Sequence, residues 1–258
     1  MEKAIAYTYA SDDLAYYFGE RVKNSFEHFH PGVPFNIITP FDEKEIFGDV
    51  KIPIIGAHFT TLNIRYLNYL KDKYEVVIKL DADVVITGRL DEFLDGDYDV
   101  ACSLNCPGVG GIDYQKYPDY CNLGVTAVRS KEFAEEWFKL TYDHEFISKM
   151  NFGYLEQDIM NYLATCGKYK QLIVDKGDTA PYYNETSREQ WDKLKIRHKG
   201  LFIGDRQVKA MHWAGGGEMC DKYTHQLIVS EDVQKFLNEI TKTKDFTNAK
   251  TNAERKIG

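Results

Sequence analysis

Asp81 and Asp83 stand two residues apart at the end of an almost wholly apolar run, Val76 to Leu80, and apolar chain resumes at Val84, Val85 and Ile86. Two carboxylates this close repel each other, and apolar surroundings raise the cost. A divalent cation relieves both problems. The pair is therefore a candidate site for a hard metal, Mn2+ or Mg2+. In extended chain a spacing of two puts both side chains on one side, so one ion could take both.

The elements that must position this pair alternate between strand and helix. Residues 4–10 read as a first strand. Residues 12–29 carry Leu14, Phe18, Val22 and Phe26 at helical spacing, with Asp12 or Asp13 as cap. A second strand is expected at 35–39, a helix at 60–72 with Leu62, Tyr66 and Leu70 on one face, and a third strand at 75–80. This alternation predicts an α/β fold: a Rossmann-like, mostly parallel central sheet with helices on both faces. In such sheets ligands lie outside the carboxyl ends of the strands, where Asp81 and Asp83 fall. Further strands are expected at 98–104, 121–130 and 207–217, and helices at 131–146, at 155–167 and from Ser230. Residues 105–120 are rich in Gly, Pro and Tyr without periodicity and read as a long functional loop. The end of the chain, 241–258, is polar enough to fray.

Composition removes several classes. The net charge of −8 argues against bulk nucleic-acid binding, which needs a basic face. The first residues lack a signal-peptide core, and no stretch has the length of a membrane span, so a soluble, cytoplasmic protein is expected. Five scattered cysteines without a CxxC pair read as reduced thiols rather than a disulfide framework or zinc site.

An Asp-x-Asp at a strand end also occurs in haloacid-dehalogenase-type phosphatases. There the motif opens the chain and is followed by Thr two residues on. Here Val85 holds that place and two strands come first. Sugar nucleotidyltransferases carry a glycine-rich basic loop after the first strand, and YASDDLAYYFG has none. The segment VIKLDADVVITGRLDEF instead resembles the DxD segment of GT-A glycosyltransferases, most closely family 8, the relatives of glycogenin and of lipooligosaccharide galactosyltransferases. Five more stretches resemble that family in the same order: YTYASDD, LNIRYLNYL, YCNLGVTAV, LEQDIMNYL and MHWAGGG. Together they run from about residue 4 to 217, and the ordered set is far more specific than any member.

The resemblance implies a GT-A catalytic domain over 1–240 that moves a hexose from a nucleotide sugar, a UDP-sugar, to a hydroxyl acceptor such as a glycan. It adds His212 to Asp81 and Asp83 as metal ligand. It places Thr8, Tyr9, Ala10 and Asp12 at the base and ribose, and Arg65 beside Asp81 or the donor. It puts Asp81, Ala82, Asn122, Gly124 and Gly215 on the donor. Glu156, Gln157 and Asp158 would border the transferred sugar. The family retains anomeric configuration, which puts Gln157 on the reacting face with Asp158 supporting it. An inverting course would make Glu156 or Asp158 the base instead. Tyr114, Tyr117, Tyr120 and Tyr154 are candidates for closing over donor and acceptor. The chain departs from the family at Glu218, where a diphosphate-contacting Lys is usual; Lys209 or Lys222 would have to substitute. A binding protein without catalysis is the non-enzymatic alternative.

Overall fold

The computed structural model describes residues 2–11, 13–48, 60–104, 119–149, 155–174, 193–212 and 230–242. The chain order begins β1 (Glu2–Tyr9), α1 (Asp13–Phe29), β2 (Phe35–Ile38), α2 (Pro40–Phe47), α3 (Thr60–Lys71), β3 (Tyr74–Leu80), β4 (Val84–Ile86), α4 (Asp91–Asp95) and β5 (Val100–Leu104). It continues with β6 (Cys121–Val128), α5 (Lys131–Thr141), α6 (His144–Lys149), α7 (Leu155–Thr165), β7 (Gln171–Ile173), β8 (Leu194–Arg197), β9 (Gly200–Ile203), β10 (Arg206–Val208), β11 (Ala210–His212) and α8 (Glu231–Thr241). Six strands form one sheet in the order β2-β1-β3-β6-β5-β7. The β1–β2 and β5–β7 pairs are parallel and β5–β6 is antiparallel. The alternating sequence pattern therefore produces the mixed α/β sheet it predicts.

Two expected elements come out differently. The single helix over 131–146 is two helices. The first ends at Tyr142, and the Asp143 carboxylate accepts from the Phe146 N–H at 3.0 Å, capping the second. The single strand over 207–217 divides after Val208: β10 joins β9 and β8, whereas β11 pairs with β4. The helix α2 and strands β8 and β9 carry too short a period to stand out in the sequence.

The chain divides into two compact units. One comprises Met1–Ile5, Pro40–Lys79 and Asp91–Val174. Here Val76, Val77 and Ile78 form the interior of β3, a strand buried on both faces, as parallel sheets require. Trp137 and Phe133 of α5 are fully buried, and the Trp137 indole N–H donates to the Glu156 carbonyl at 3.0 Å, tying α5 to the start of α7. The other unit comprises Ala6–Thr39, Leu80–Leu90 and Asp175–Gly258. Its core gathers Tyr17 and Phe18 of α1, Val85, Leu194, Leu201, Val208, Met211, and Val233, Leu237 and Ile240 of α8. Each fully buried aliphatic side chain of this kind contributes about 2 kcal/mol. Gly19 lets α1 approach its sheet closely, since a Cβ there would lie 3.2 Å from side-chain carbons of both Thr8 and Ile37.

Lys71 closes α3 with an unusual environment. It is buried, and its Nζ donates to the carbonyls of Tyr74 (3.1 Å) and Glu75 (2.6 Å). Burial first, and the charge of Arg129 second, pull its pKa down to about 8 against the opposing pull of Glu75 and Glu132. Above pH 8 the folded chain releases this proton while the unfolded chain keeps it until about 10.5. The unfolded state then binds more protons, so this residue makes folding more favourable as pH rises through that window. The stability of the wild type relative to Lys71→Met should therefore increase by roughly 2–3 kcal/mol between neutral pH and pH ~10.5. Denaturant unfolding at several pH values measures this, and a difference that stays flat would contradict it.

Candidate functional site

Asp81, Asp83 and His212 come together in the second unit. One ligand atom from each lies within 4.8 Å of the others. The His212 Nε2 is 3.3 Å from an Asp83 oxygen and 3.9 Å from an Asp81 oxygen. His212 is buried and both aspartates are partly exposed, so the cluster opens to solvent on its carboxylate side. The 81–83 segment is not extended chain. The Val84 N–H donates to the Asp81 carbonyl at 3.2 Å, closing a turn. The turn, rather than strand alternation, brings the two carboxylates to one side.

Register explains the third ligand. β11 runs antiparallel to β4, with Ala210 opposite Ile86, Met211 opposite Val85 and His212 opposite Val84. The imidazole therefore arrives beside the residue that follows Asp83. The strand β4 is itself pinned. The Ile86 N–H donates to the Ser25 hydroxyl at 3.1 Å, and the Leu90 N–H donates to His30 Nε2 at 3.0 Å. On the other side the Thr87 N–H donates to the Lys209 carbonyl at 2.8 Å, and its hydroxyl donates to the Val208 carbonyl at 2.6 Å. Ala82 packs against the core of this unit. Backbone bonds and packing thus position all three ligands. Two carboxylates and an imidazole form a donor set suited to a divalent cation.

The first unit holds a second constellation around β6. The β5–β6 ladder pairs Cys102 with Thr126 and then jumps to Ser103 with Asn122. Residues 123–125 therefore bulge out of the ladder. The Asn122 side chain closes the bulge by accepting from the Gly124 N–H at 2.6 Å. Freed from the ladder, the Leu123 N–H donates to Gln157 Oε1 at 3.1 Å, and its carbonyl accepts from Lys79 Nζ at 3.3 Å.

Gln157 is oriented at its other end too. Its Nε2 donates to the Tyr120 hydroxyl at 3.1 Å, and that hydroxyl donates to Asp158. Because the tyrosine proton goes to the carboxylate, the tyrosine oxygen is left to accept from the amide. This order holds the Gln157 carbonyl toward Leu123. Asp158 is fully buried, whereas Glu156 is half-buried. Asn161, one turn after Gln157 and fully buried, accepts from the Cys121 N–H at 2.6 Å. It also donates to the carbonyls of Cys121 (2.9 Å) and Gln157 (2.8 Å).

Other candidate residues lie in the following surroundings. Tyr120 is 1% exposed and serves this network; it is no surface aromatic able to close over a ligand. The Arg65 guanidinium stacks on the Phe47 ring, 4.2 Å from its centroid. Thr8, Tyr9 and Ala10 are buried, and the Ala10 N–H is engaged by the Ile38 carbonyl at 2.8 Å. Asp12, Tyr114, Tyr117, Tyr154, Gly215, Glu218 and Lys222 lie outside the described residues, as do most of 105–120 and the end of the tail. Residues that escaped the sequence reading are Ser25, His30, Lys79, Tyr120 as a network member, and Asn161. Two left a trace: a lysine inside an apolar strand, and an asparagine four residues after Gln157 on the same helix face. Among the described residues no helix is long and apolar enough to cross a membrane.

No protein-family model matches the chain, and no curated protein matches it in sequence. Solved structures do match. The galactosyltransferase LgtC, in complex with donor and acceptor sugar analogues, superposes with a TM-score of 0.57 at 16% identity, covering 93% of this chain and 95% of that one. The apo glycosyltransferase GlyE of Streptococcus pneumoniae TIGR4 gives 0.53 at 18% identity, covering 99% of this chain and 63% of that one. A glycosyltransferase involved in glycosylation of the major capsid of PBCV-1 gives 0.53 at 13% identity, covering 88% and 99%. The chain has the fold these proteins share, the GT-A glycosyltransferase fold.

Proposed function

We propose that this chain is a metal-dependent glycosyltransferase that moves a hexose from a nucleotide sugar, a UDP-sugar, to a hydroxyl acceptor, with residues 1–240 acting as one catalytic domain. The observation that carries the reading is the convergence of Asp81, Asp83 and His212 within a GT-A fold. Their oxygen and nitrogen donors fit Mn2+ or Mg2+. Bound there, the cation would supply positive charge for the departing nucleoside diphosphate.

In this reading the chain's own residues do the rest. Asp81 and Asp83 would hold the cation with His212, and Ala82 and Gly215 would contact the donor. Asn122 and Gly124 shape the bulge toward the donor sugar. Gln157, whose amide oxygen accepts from the Leu123 N–H and keeps a second lone pair, would serve the reacting face with retention of configuration. The LgtC structures include an active-site glutamine-to-glutamate mutant, which matches that use of a glutamine. Asp158, fully buried and hydrogen-bonded to Tyr120, supports Gln157 and is poorly placed to act as a solvent-accessible base.

Thermal unfolding with UDP, GDP, ADP and CDP, each with and without Mn2+, tests this. A ligand that binds only the folded state raises its stability by RT ln(1 + [L]/Kd). UDP should raise the unfolding temperature, and only when Mn2+ is present. Nucleotide shifts that ignore the metal, or no shift with any nucleotide, would defeat the reading.

A further inference from the structure

The strands β8, β9 and β10 form a three-stranded antiparallel sheet with two different faces. Leu194, Ile196, Leu201, Ile203 and Val208 turn toward the core of their unit. The rest of the sheet is strongly basic. Residues 193–209 hold six Lys or Arg side chains and one carboxylate, Asp205, in a chain whose net charge is −8. Everything outside this stretch is therefore more acidic still. Lys193, Lys195, Arg197, His198, Lys199 and Arg206 are all exposed. Asp205 sits 3.2 Å from Arg197, while Lys195 and Lys199 have no carboxylate partner among the described residues.

The outer face is also built in detail. Register sets Lys195 and Gln207 on either side of Phe202, and Arg197 opposite Gly200. A Cβ on Gly200 would lie 2.8 Å from Gln207 Nε2 and 3.4 Å from a Phe202 ring carbon. The missing side chain thus lets the aromatic ring and the amide lean together over the backbone, framed by Lys195 and Arg197. At the hairpin tip His198 (φ 49°) and Lys199 (φ 61°) both occupy the left-handed region, where Asn-Gly is the usual choice. That costs about 1 kcal/mol per residue. The cost places two cation-forming side chains at an exposed corner.

We infer that this face binds an acidic glycan and, on the reading of the chain as a glycosyltransferase, docks a carboxylate-bearing acceptor. The ring suits the apolar face of a sugar, the amide suits its hydroxyls, and the lysines and arginines suit its carboxylates. The acidic remainder of the chain repels such a ligand elsewhere and steers it here. A membrane surface fits less well, because the aromatic lies in mid-sheet and the protruding tip is His-Lys rather than apolar. Position fits an acceptor. Lys209 alone separates β10 from β11, which ends in the metal ligand His212. Gln207 of the outer face is five residues from His212, a stretch of chain that spans at most ~18 Å.

Calorimetric titration with pentagalacturonate, with neutral maltopentaose as comparison, tests the inference. Pentagalacturonate should bind at low salt and weaken as salt rises. Its affinity should fall about tenfold in the combined variant Lys195→Gln, Arg197→Gln, Lys199→Gln, and by a similar factor in Phe202→Leu, which keeps an apolar side chain but removes the ring. Lys149→Gln, on the exposed end of α6, should bind as wild type does. Equal affinity for both oligosaccharides, or no effect of the variants, overturns the inference. So does stronger, variant-sensitive binding to phosphatidylglycerol vesicles or to oligothymidylate. The UDP and Mn2+ thermal shift is measured on the same samples. A normal shift without pentagalacturonate binding defeats this inference alone. Pentagalacturonate binding without the shift supports the glycan-binding face and removes the transferase reading beneath it.

Discussion

Replacing Asp83 by asparagine is expected to remove Mn2+-dependent UDP stabilisation and to lower sugar transfer by at least about 10²-fold. The substitution keeps the size and shape of the side chain and deletes its charge. Asp83 is the carboxylate nearer His212, at 3.3 Å, and its side chain is only 13% exposed. Solvent can therefore replace little of what the charge provides to a cation. Packing should be preserved, since the turn at Asp81 and the β4–β11 pairing rest on backbone bonds that this side chain does not make. The metal-free unfolding temperature should then stay close to that of the wild type while the metal-dependent shift disappears. Asp95→Asn, on an exposed carboxylate paired with Lys3, is the control and should change neither quantity. A full UDP and Mn2+ shift in Asp83→Asn would sink the metal assignment.

Asn161→Ala should have the largest effect on stability, a loss of roughly 3 kcal/mol. The side chain is fully buried and makes three hydrogen bonds, to the N–H and C=O of Cys121 and to the Gln157 carbonyl. Truncation leaves these groups short of partners where water has no access, and each buried orphan costs about 1–3 kcal/mol. For a chain of this size that corresponds to a fall of about 6–12 °C in unfolding temperature. A functional consequence separates this from simple destabilisation. Asn161 joins α7 to β6 at the residue before Asn122, so its loss loosens the bulge against which Gln157 is held. Well below the unfolding temperature, kcat should fall while the UDP and Mn2+ shift persists. A variant that unfolds early yet turns over normally while folded would show that this bond network serves stability alone.

Much of the architecture was legible in the chain because its signals are local. Phe18, Val22 and Phe26 repeat at helical spacing and are all buried on α1. The run from Val76 to Leu80 announced a strand, and β3 is one, buried at each of those positions. The division of 131–146 was harder to see. Asp143 can equally continue a helix or cap a new one, and only the hydrogen bond to the Phe146 N–H decides. The same holds for 207–217, where apolar residues continue across Lys209 while the hydrogen bonding passes from one sheet to another.

The sequence by itself determined which chemistry was available: a carboxylate pair after a buried strand, a late histidine before glycines, and an acid-amide-acid trio opening a helix. Tertiary structure alone decided which of these meet. His212 is more than 120 residues from Asp83, and no local pattern encodes that distance. The antiparallel register of β4 and β11 brings them to 3.3 Å. Tertiary structure also decided that Asp158 is a buried partner of Tyr120, because burial depends on what the rest of the chain packs over it. The basic face of β8–β10 follows the same rule. Its charges are plain in the sequence, but strand alternation and the gap at Gly200 gather Lys195, Arg197, Phe202 and Gln207 onto one surface.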